Sequence, residues 1–474
     1  MKRQAPSTGR RAPSTEQSMR DLGLRGTRVT VVGLARSGVA ACRVLAAQGA
    51  RVVGTDVSPR EKLRGDLAGL ERLGVTIETG AHRPERFLET DLLVLSPGVP
   101  TEMALVREAR ERGIPLWGEV ELAYRLTSAR FLAVTGTNGK STTTSLLGAM
   151  LDAAGQPVVV AGNIGTALCD VVPPLGPSHS IVAELSSFQL ETIVTFRPQI
   201  ALLLNLAPDH LDRYPDVEPY YAAKARIFLN QTEADAAVLN ADDPLVMHRT
   251  GTLPAQPLLF SRTRTVGDGA YVRNGVLTIR RQGEPQAVCG VGEIRIQGLH
   301  NLENSLAAAA AASAAGAPAS AIGEALRKFP GLPHRLELVA EIGGVAYVND
   351  SKGTNVGAVL KSLEGYRQGV ILIAGGKDKG GDFRPLRPLV ESRVKMLLLI
   401  GQARDAIQSH LAGACPMEEA ASLPEAIRRG AALAVPGDTV LLSPACASFD
   451  MFRDFEHRGD VFRQTVQDLA RGVA

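Results

Sequence analysis

The residues best suited to chemistry lie in one stretch, residues 131–144, with the sequence FLAVTGTNGKSTTT. An apolar run predicts a buried strand, the run ends at Gly136 and Gly139, and an alanine- and leucine-rich helical pattern follows. A glycine-rich turn that leads into a helix can aim backbone N–H groups at phosphates. In such a loop Lys140 would reach the terminal phosphates and the Ser141 hydroxyl would bind magnesium. The stretch therefore predicts a phosphate-binding loop, and the alternative is an ordinary glycine-rich turn before a helix.

Two later strands end in side chains that suit a metal ion. Glu184 closes an apolar strand, where a buried carboxylate is costly unless a cation pairs with it. His210 follows the next apolar strand, and its place at a strand end of the same sheet strengthens the case for a metal ligand. Each has an ordinary alternative: Glu184 as a turn or capping carboxylate, and His210 as the structural residue that a lone loop histidine usually is. Lys224 lies on a predicted helix, where a lysine is normally a solvated surface charge.

Two asparagines open the alanine-rich helix that begins near residue 300. Asn301 and Asn304 are three residues apart, so they share one face of that helix. A side-chain amide can bond both a donor and an acceptor, as the edge of adenine requires. These asparagines therefore predict a base-binding site, and the alternative is that Asn301 caps the helix.

The first segment alternates strands with helices, which predicts a parallel sheet whose ligand lies at the carboxyl ends of the strands. Its first strand ends at Gly33, and its second ends in an acid, as in a dinucleotide fingerprint, but Ala35 stands where the middle glycine belongs. The ribose and diphosphate of a mononucleotide suit this crevice as well as a dinucleotide does. The residues predicted to line it are Gly33, Arg36, Ser37, Asp56, Ser96 and Gly98.

The patterning predicts an α/β protein of three domains, each with a mostly parallel sheet flanked by helices. We expect a basic disordered tail at residues 1–25, a Rossmann-like nucleotide-binding domain at 26–127, a central phosphate-loop ATPase domain at 128–331 and a Rossmann-like domain at 332–474. The last domain has cationic and hydroxyl groups at its strand ends, which suit an anionic amino acid. It contains no phosphate loop of its own.

Composition narrows the class of protein. The 474 residues carry a formal net charge of +3, which is close to neutral and favours neither nucleic acid nor another charged partner. The chain has no apolar run of 18 residues, so we expect no membrane span. Its five cysteines are scattered without paired or metal-ligand spacing, which is typical of a reduced, cytoplasmic protein.

Several of these motifs together resemble the Mur ligase family, from about residue 26 to the C-terminus. The motifs are GTNGKS at 136–141, GNIG at 162–165, ELSSFQL at 184–190, Asn205 with Asp209 and His210, GLPHR at 331–335, NDSK at 349–352 and SPACAS at 443–448. The resemblance at 184–190 and 443–448 is to the members that add D-glutamate. The basic tail lies outside the resemblance.

The resemblance implies one cytoplasmic step in the synthesis of peptidoglycan precursors, carried out by a monomer. ATP would phosphorylate the carboxylate of UDP-N-acetylmuramoyl-L-alanine, and the amine of D-glutamate would attack the acyl phosphate. Such a transfer brings anions together, so magnesium and Lys140 are needed to neutralise them.

The resemblance also implies which residues act. It assigns one magnesium ion to Ser141 and Glu184, and a second to His210 and a carbamylated lysine, Lys224, so that Lys140, Glu184, His210 and Lys224 are the catalytic residues. Its nucleotide-binding residues are Gly136, Thr137, Asn138, Gly139, Lys140, Ser141, Thr142, Asn301, Asn304, Arg335 and Asp350. Its acceptor-binding residues are Arg36, Ser37, Asp56, Ser96, Gly98 and Asn163. Its D-glutamate pocket consists of Lys352, Thr354, Lys379, Ser448 and Phe455.

Three other functions compete with this interpretation. A sister Mur ligase or a folylpolyglutamate synthetase would add a different amino acid, although the folate enzyme lacks the first domain. A nicotinamide-dependent oxidoreductase would leave the phosphate loop and the last domain without a role. A non-catalytic nucleotide-binding regulator would give Glu184, His210 and Lys224 no function.

Overall fold

The structure, a computed structural model, describes residues 20–472 except 212, 297 and 379. The described chain forms two compact units. The first unit runs to Arg130 and includes Thr166–Ser180 and Thr192–Phe196, and the second contains Phe131–Gly165, Ile181–Glu191 and the chain from Arg197 onwards. Most of the predicted basic tail, residues 1–19, lies outside the described residues. The predicted three-domain α/β fold is confirmed, and the residue bounds given above for each domain remain a prediction.

The first unit is built on a parallel sheet with the strand order β3-β2-β1-β4-β5. Its strands are β1 (Arg28–Val32), β2 (Arg51–Asp56), β3 (Thr76–Thr79), β4 (Leu92–Leu95) and β5 (Leu116–Gly118). Its helices are α1 (Arg36–Ala47), α2 (Leu67–Arg72), α3 (Pro84–Leu88), α4 (Ala104–Glu111) and α5 (Glu119–Leu126). The order reverses between β1 and β4, which is where ligands bind in open α/β sheets.

The second unit contains a mixed sheet with the order β14-β13-β12-β11-β10-β9-β6-β8-β7. Its strands are β6 (Arg130–Thr135), β7 (Val158–Gly162), β8 (Ser180–Glu184), β9 (Ile200–Leu203), β10 (Ala236–Asn240), β11 (Gln256–Ser261), β12 (Gly269–Arg273), β13 (Val276–Arg280) and β14 (Gln286–Gly290). The helices along this part of the chain are α6 (Lys140–Ala153), α7 (Leu168–Val171), α8 (Ser187–Leu190), α9 (Val217–Ala225), α10 (Pro244–Arg249), α11 (Leu299–Ala314) and α12 (Ala319–Lys328). Pairing is parallel from β6 through β12 by way of β9, β10 and β11, and antiparallel from β12 to β14. The turn-rich residues after 236 thus extend the sheet.

Helix α11 is buried along a stretch that consists of Leu306 and six successive alanines. Residues 306–312 are all buried and pack with Leu146, Leu147 and Met150 of α6 in one apolar core. Alanine side chains let two helix backbones approach closely, so α11 lies directly against the helix that follows the phosphate loop. This packing places Asn301 and Asn304 beside that loop.

The second unit also contains a sheet with the order β15-β16-β20-β17-β18-β19, parallel except where β15 pairs with β16. Its strands are β15 (Glu337–Ile342), β16 (Val345–Asn349), β17 (Val370–Gly375), β18 (Val394–Ile400), β19 (Met417–Glu419) and β20 (Thr439–Leu442). Its helices are α13 (Val356–Glu364), α14 (Arg387–Arg393), α15 (Arg404–His410), α16 (Leu423–Leu433) and α17 (Phe455–Ala470). The loops after β16 and β20 lie side by side because these two strands pair.

The five cysteines are all free thiols. Within the described part of the chain, no helix combines the length and the apolar character needed to cross a bilayer.

Candidate functional site

The phosphate loop has the predicted strand, turn and helix. β6 is fully buried from Phe131 to Val134, and α6 begins at Lys140. Gly136 and Gly139 have φ angles of 151° and 83°, which side chains disfavour. A Cβ atom on Gly139 would lie 2.2 Å from the Asn304 Oδ1 atom, so glycine is also required there by the close approach of α11.

Lys140 lies folded over its own loop. Its Nζ atom donates to the carbonyl oxygens of Gly136 at 2.9 Å and Thr137 at 2.8 Å. Burial lowers the pKa of the Lys140 ammonium, and the nearby Glu184 carboxylate raises it. The first helical bond donated in α6 is from Thr143 to the Gly139 carbonyl, so the amides of residues 140–142, in the first turn of α6, are left for an anion.

Glu184 is the strongest indication of a cation in the site. Its side chain is 2% exposed, and Oε1 accepts a hydrogen bond from Asn163 Nδ2 at 2.7 Å. Oε2 is buried and has no hydrogen-bond partner in the structure. An unsatisfied buried acceptor costs about 1–3 kcal/mol, more when it is charged. A hard divalent cation, which prefers carboxylate and hydroxyl oxygens, would satisfy this atom.

Lys224 on α9 is an unusual buried lysine, only 1% exposed. Its Nζ atom donates to the Gly136 carbonyl at 2.8 Å and lies 4.7 Å from the centre of the Tyr220 ring. Burial and the positive charge of Lys140 lower the pKa of Lys224 well below its usual range. The side chain therefore favours the neutral amine, which is a nucleophile, over the surface ammonium that its helical position suggested.

His210 lies in the loop after β9 with a left-handed φ of 56°. Its Nε2 atom is 3.8 Å from Asp209 Oδ2, and its ring packs edge-on against Phe188 with centroids 5.0 Å apart. Among the residues that the structure describes, no group of three or more His, Cys, Asp and Glu side chains is placed to hold a metal. A cation here would need hydroxyl or modified-lysine oxygens as well.

Arg335 connects the phosphate loop to the segment after residue 331, and Asp350 lies within that segment. The Arg335 guanidinium donates to the Ser141 hydroxyl at 2.7 Å. Asp350 Oδ2 accepts from the hydroxyls of Ser362 at 2.6 Å and Ser443 at 2.8 Å. Burial raises the pKa of Asp350 to about 6, against the opposing effect of these hydrogen bonds.

A cavity of about 590 Å³ opens beside the phosphate loop, a size typical of small-molecule sites. Predicted nucleotide-binding residues that line it are Asn138, Gly139, Thr142, Asn301, Asn304, Arg335 and Asp350. Asn304 accepts a hydrogen bond from Thr143 Oγ1 at 3.2 Å and donates to Asn301 Oδ1 at 3.3 Å. The two asparagines are therefore held by each other and by α6.

Of the residues predicted to bind the amino acid, Lys352 and Thr354 lie in the loop after β16, Ser448 lies in the loop after β20, and Phe455 begins α17. Lys352 Nζ is 3.5 Å from the centre of the Phe455 ring, a cation–π contact, and burial lowers the pKa of Lys352 to about 8. The Thr354 amide donates to the Lys352 carbonyl at 2.8 Å, and Ser448 is buried. Lys379 lies outside the described residues.

The residues predicted to bind the uridine nucleotide belong to the first unit. Asp56 Oδ2 accepts from the Leu34 amide at 2.7 Å, so this acid holds the glycine-rich turn after β1. Ser96 Oγ donates to the Gly33 carbonyl at 2.7 Å. The others are Arg36 and Ser37 at the start of α1, and Gly98 in the loop after β4. They gather at the carboxyl ends of β1, β2 and β4, at the reversal of strand order.

Arg458 was not singled out in the sequence, although it is fully buried with 0% exposure. Its guanidinium donates to Ser351 Oγ at 3.0 Å and to the carbonyls of Ser351 and Cys446 at 2.8 and 3.2 Å. It thereby joins the two loops that carry Lys352 and Ser448. Burial lowers the pKa of Arg458 to about 10. One arginine in an otherwise ordinary amphipathic helix gives no sequence signal for this role.

Asn205, quoted above only as part of a motif, holds the phosphate loop in shape. Its Oδ1 atom accepts from the Asn138 amide at 2.8 Å, and its Nδ2 atom donates to the Asn138 carbonyl at 3.0 Å. The Asn205 carbonyl also accepts from the Thr137 amide at 3.0 Å. The signal that marks it is an amide side chain at the end of a strand beside the phosphate loop.

Three family models match successive parts of the chain. Residues 27–118 match the Mur ligase MurD-like N-terminal domain, residues 134–312 the Mur ligase middle domain and residues 334–446 the glutamate ligase domain of Mur ligases.

Three relatives, each named UDP-N-acetylmuramoylalanine--D-glutamate ligase, align along almost the whole chain. The protein of Geotalea daltonii is 44% identical over 95% of this chain and 99% of its own length. That of Acidobacterium capsulatum is 46% identical over 94% of this chain and 96% of its own length. That of Geobacter sp. strain M21 is 46% identical over 95% of this chain and 100% of its own length.

Solved structures share the fold at low identity. A pseudomurein peptide ligase type C from Methanothermus fervidus superposes with a TM-score of 0.60 at 17% identity, covering 94% of this chain and 100% of the other. A UDP-N-acetylmuramate-alanine ligase from Thermotoga maritima gives a TM-score of 0.57 at 18% identity, with the same coverage.

Proposed function

The chain belongs to the Mur ligase family, and we infer that it is an ATP-dependent ligase that joins D-glutamate to UDP-N-acetylmuramoyl-L-alanine in peptidoglycan synthesis. This inference rests on the identity of 44–46% along almost the full length of relatives that are named for that activity. The phosphate loop, the unsatisfied Glu184 carboxylate and the buried Lys224 give it a chemical basis.

We propose that the reaction begins with phosphate transfer from ATP to the acceptor carboxylate. A carboxylate oxygen attacks the γ-phosphorus, the bond to the β,γ-bridging oxygen breaks, and ADP leaves. Both reactants are anions, so the main work of the protein is to neutralise and position them. Lys140 supplies a positive charge at the loop, and the amides at the start of α6 supply donors. Asn301 and Asn304 hold the base in the adjoining cavity.

Bound magnesium would supply positive charge to the phosphates and lower the cost of bringing the two anions together. The residues that fit one ion are Glu184, through its unsatisfied Oε2 atom, and Ser141, through its hydroxyl. For a second ion we propose His210 and a modified Lys224. In the structure the Ser141 hydroxyl accepts a hydrogen bond from Arg335, so the positive charge of Arg335 lies next to the position proposed for this ion.

Lys224 is suited to carbamylation, the addition of its neutral amine to CO₂ with release of a proton to solvent. The lowered pKa of Lys224 keeps the amine available for this addition. A carbamate retains one N–H, which can still donate to the Gly136 carbonyl as the amine does at 2.8 Å. That bond would orient the new carboxylate, and the negative charge of the carbamate would attract the Lys140 ammonium.

The second step joins the amino acid. The amine of D-glutamate attacks the acyl carbon, phosphate leaves, and the amine loses its proton as the peptide bond forms. We propose that Lys352 and Ser448 bind the carboxylates of D-glutamate, and the buried Arg458, which bonds to both of their loops, supports this arrangement.

We further propose that the enzyme acts in the cytoplasm, where nucleotide-linked precursors and ATP are available. The expected monomeric state and the expected absence of nucleic-acid and membrane partners remain predictions.

An amino-acid panel tests the assignment of substrate. With ATP, magnesium and UDP-N-acetylmuramoyl-L-alanine present, we expect ADP release to require D-glutamate. L-glutamate serves as the matched control because it differs only in the arrangement around one carbon. Release of ADP with L-alanine or meso-diaminopimelate in place of D-glutamate would assign the chain to a sister activity, and release with a folate acceptor would assign it to folylpolyglutamate synthesis.

Replacing Asn205 by alanine is expected to raise the KM for ATP about tenfold or more, because two hydrogen bonds that fix the phosphate loop are lost. Steady-state kinetics with varied ATP measure the effect. Gln231→Ala is the control, since it also removes a buried amide that donates to two backbone carbonyls, at Pro198 and Ala236, away from the loop. An equal change in the KM for ATP in both variants would contradict a specific role for Asn205.

A further inference from the structure

One hydrogen bond joins the loop that carries His210 to the segment that carries the predicted D-glutamate residues. Asn355 Nδ2 donates to Asp209 Oδ2 at 2.9 Å. Asp209 lies in the loop after β9, and Asn355 is the residue that caps the start of α13. The two residues are 146 positions apart in the chain, so this bond depends on the tertiary fold.

The two side chains each hold their own segment while they contact each other. Asp209 Oδ1 accepts from the His210 amide at 2.9 Å, which supports the left-handed backbone of that histidine. Asn355 Oδ1 accepts from the Ala358 amide at 2.7 Å and so caps α13. Both polar atoms of the Asn355 amide are therefore used: Oδ1 caps α13, and Nδ2 forms the hydrogen bond to Asp209, called here the bridge.

The surroundings of the bridge relate it to the reaction. Asn355 directly follows Thr354 and lies close after Lys352, and both of these residues are predicted to bind D-glutamate. Two residues later, a Cβ atom on Gly357 would lie 3.4 Å from Asn138 Nδ2, so α13 begins against the phosphate loop. Asp209 directly precedes His210, so its carboxylate lies beside one of the proposed catalytic residues.

We propose that Asn355 is a positioning residue: its bond to Asp209 sets segment 352–354 against the loop 205–210, so that the D-glutamate amine meets the acyl phosphate. The proposal rests on the proposed function for the identity of the two substrates. The attacking atom must come within about 3–3.5 Å of its target, and a displacement of about 1 Å can cost roughly 100-fold in rate. A direct bond between the two loops controls that distance.

The bridge can be broken without removing the helix cap. Asn355→Ser keeps an oxygen that caps α13 but is too short to reach Asp209 and has no amide donor. Asn355→Asp also caps, but it sets a second carboxylate against Asp209. We expect kcat/KM for D-glutamate to fall about tenfold or more in Asn355→Ser, and further in Asn355→Asp.

A swap of the two residues provides the decisive comparison. The double variant Asn355→Asp with Asp209→Asn restores an amide donor facing a carboxylate and preserves net charge. If the bond matters, the double variant will ligate better than either single variant, and the two effects will be strongly non-additive. Fully additive effects would overturn the proposal, as would wild-type values of kcat/KM for D-glutamate in both Asn355 variants.

A separate readout distinguishes positioning from a general loss of structure. In the absence of D-glutamate, the acyl phosphate can be trapped with hydroxylamine as a hydroxamate. We expect Asn355→Ser to form hydroxamate within a few-fold of the wild-type rate while ligation falls. An equal fall in both reactions would overturn the proposal. If the wild-type enzyme uses another amino acid in the panel above, the proposed function fails, and the same cycle run with that amino acid still decides the role of Asn355.

Discussion

Replacing Lys140 by alanine is expected to lower turnover by about 100-fold or more, because it removes a preorganised positive charge from the point where phosphate is transferred. The side chain is held over the loop by two carbonyl oxygens, so its charge is in place before ATP binds. Burial lowers the pKa of the lysine, but Glu184 raises it, and the phosphates of ATP would raise it further. The measurement is kcat from ADP release at saturating substrates.

Two further variants separate charge from packing. Lys140→Met keeps most of the side-chain volume without the charge, so we expect it to be as slow as the alanine variant. Lys328→Ala removes a surface lysine of the same part of the chain, whose exposed pair with Glu324 contributes little to stability, and should retain normal turnover. Near-normal turnover in Lys140→Met would show that packing, and not charge, is what Lys140 supplies.

Replacing Lys224 by alanine is expected to remove turnover to a comparable extent, because the carbamate that we propose as a metal ligand cannot form. The same reasoning predicts that active wild-type enzyme carries one added carboxyl group on Lys224, lost at low pH. Mass spectrometry under native conditions and density for the modified side chain are the direct measurements. The burial of this lysine, which lowers its pKa well below the usual range, is the physical reason for expecting the modification.

The charge on residue 224 can be supplied without CO₂. Lys224→Glu places a carboxylate nearby, and we expect it to be more active than Lys224→Gln, which has a similar shape and no charge. Activity of the wild type should fall in buffers stripped of CO₂ and recover with bicarbonate, whereas the activity of Lys224→Glu should not depend on bicarbonate. An unmodified Lys224 in the active, metal-loaded enzyme would rule out the ligand role.

The fold was predictable from the sequence where patterns are local. Alternating apolar runs and glycine-rich turns predicted parallel sheets, and the run before Gly136 is the fully buried strand β6. The residues after 236 were recognised as β-like, but their place at the edge of the central sheet was not predicted. Edge pairing depends on which neighbour is free to accept a strand, and a single sequence does not record this.

The candidate site was predictable at positions where the residue type found there has few structural roles. A lysine and a serine after a glycine turn, and a glutamate at a buried strand end, pointed to phosphate and metal. Asn205 and Arg458 were missed because their roles come from contacts with backbone groups distant in the chain. Amides and arginines serve so many structural purposes that only the folded arrangement distinguishes these two.

The contact between α6 and α11 fixes one more property of the enzyme. Gly139 touches Asn304 at the loop, and Thr143 bonds to it one turn later, so the asparagines that we propose hold the base cannot shift relative to the phosphate loop. The two helices would therefore hold the proposed base site and the phosphate loop at a fixed separation. ADP would then fill the proposed base site but present no terminal phosphate to Lys140, so we expect ADP to bind less tightly than ATP.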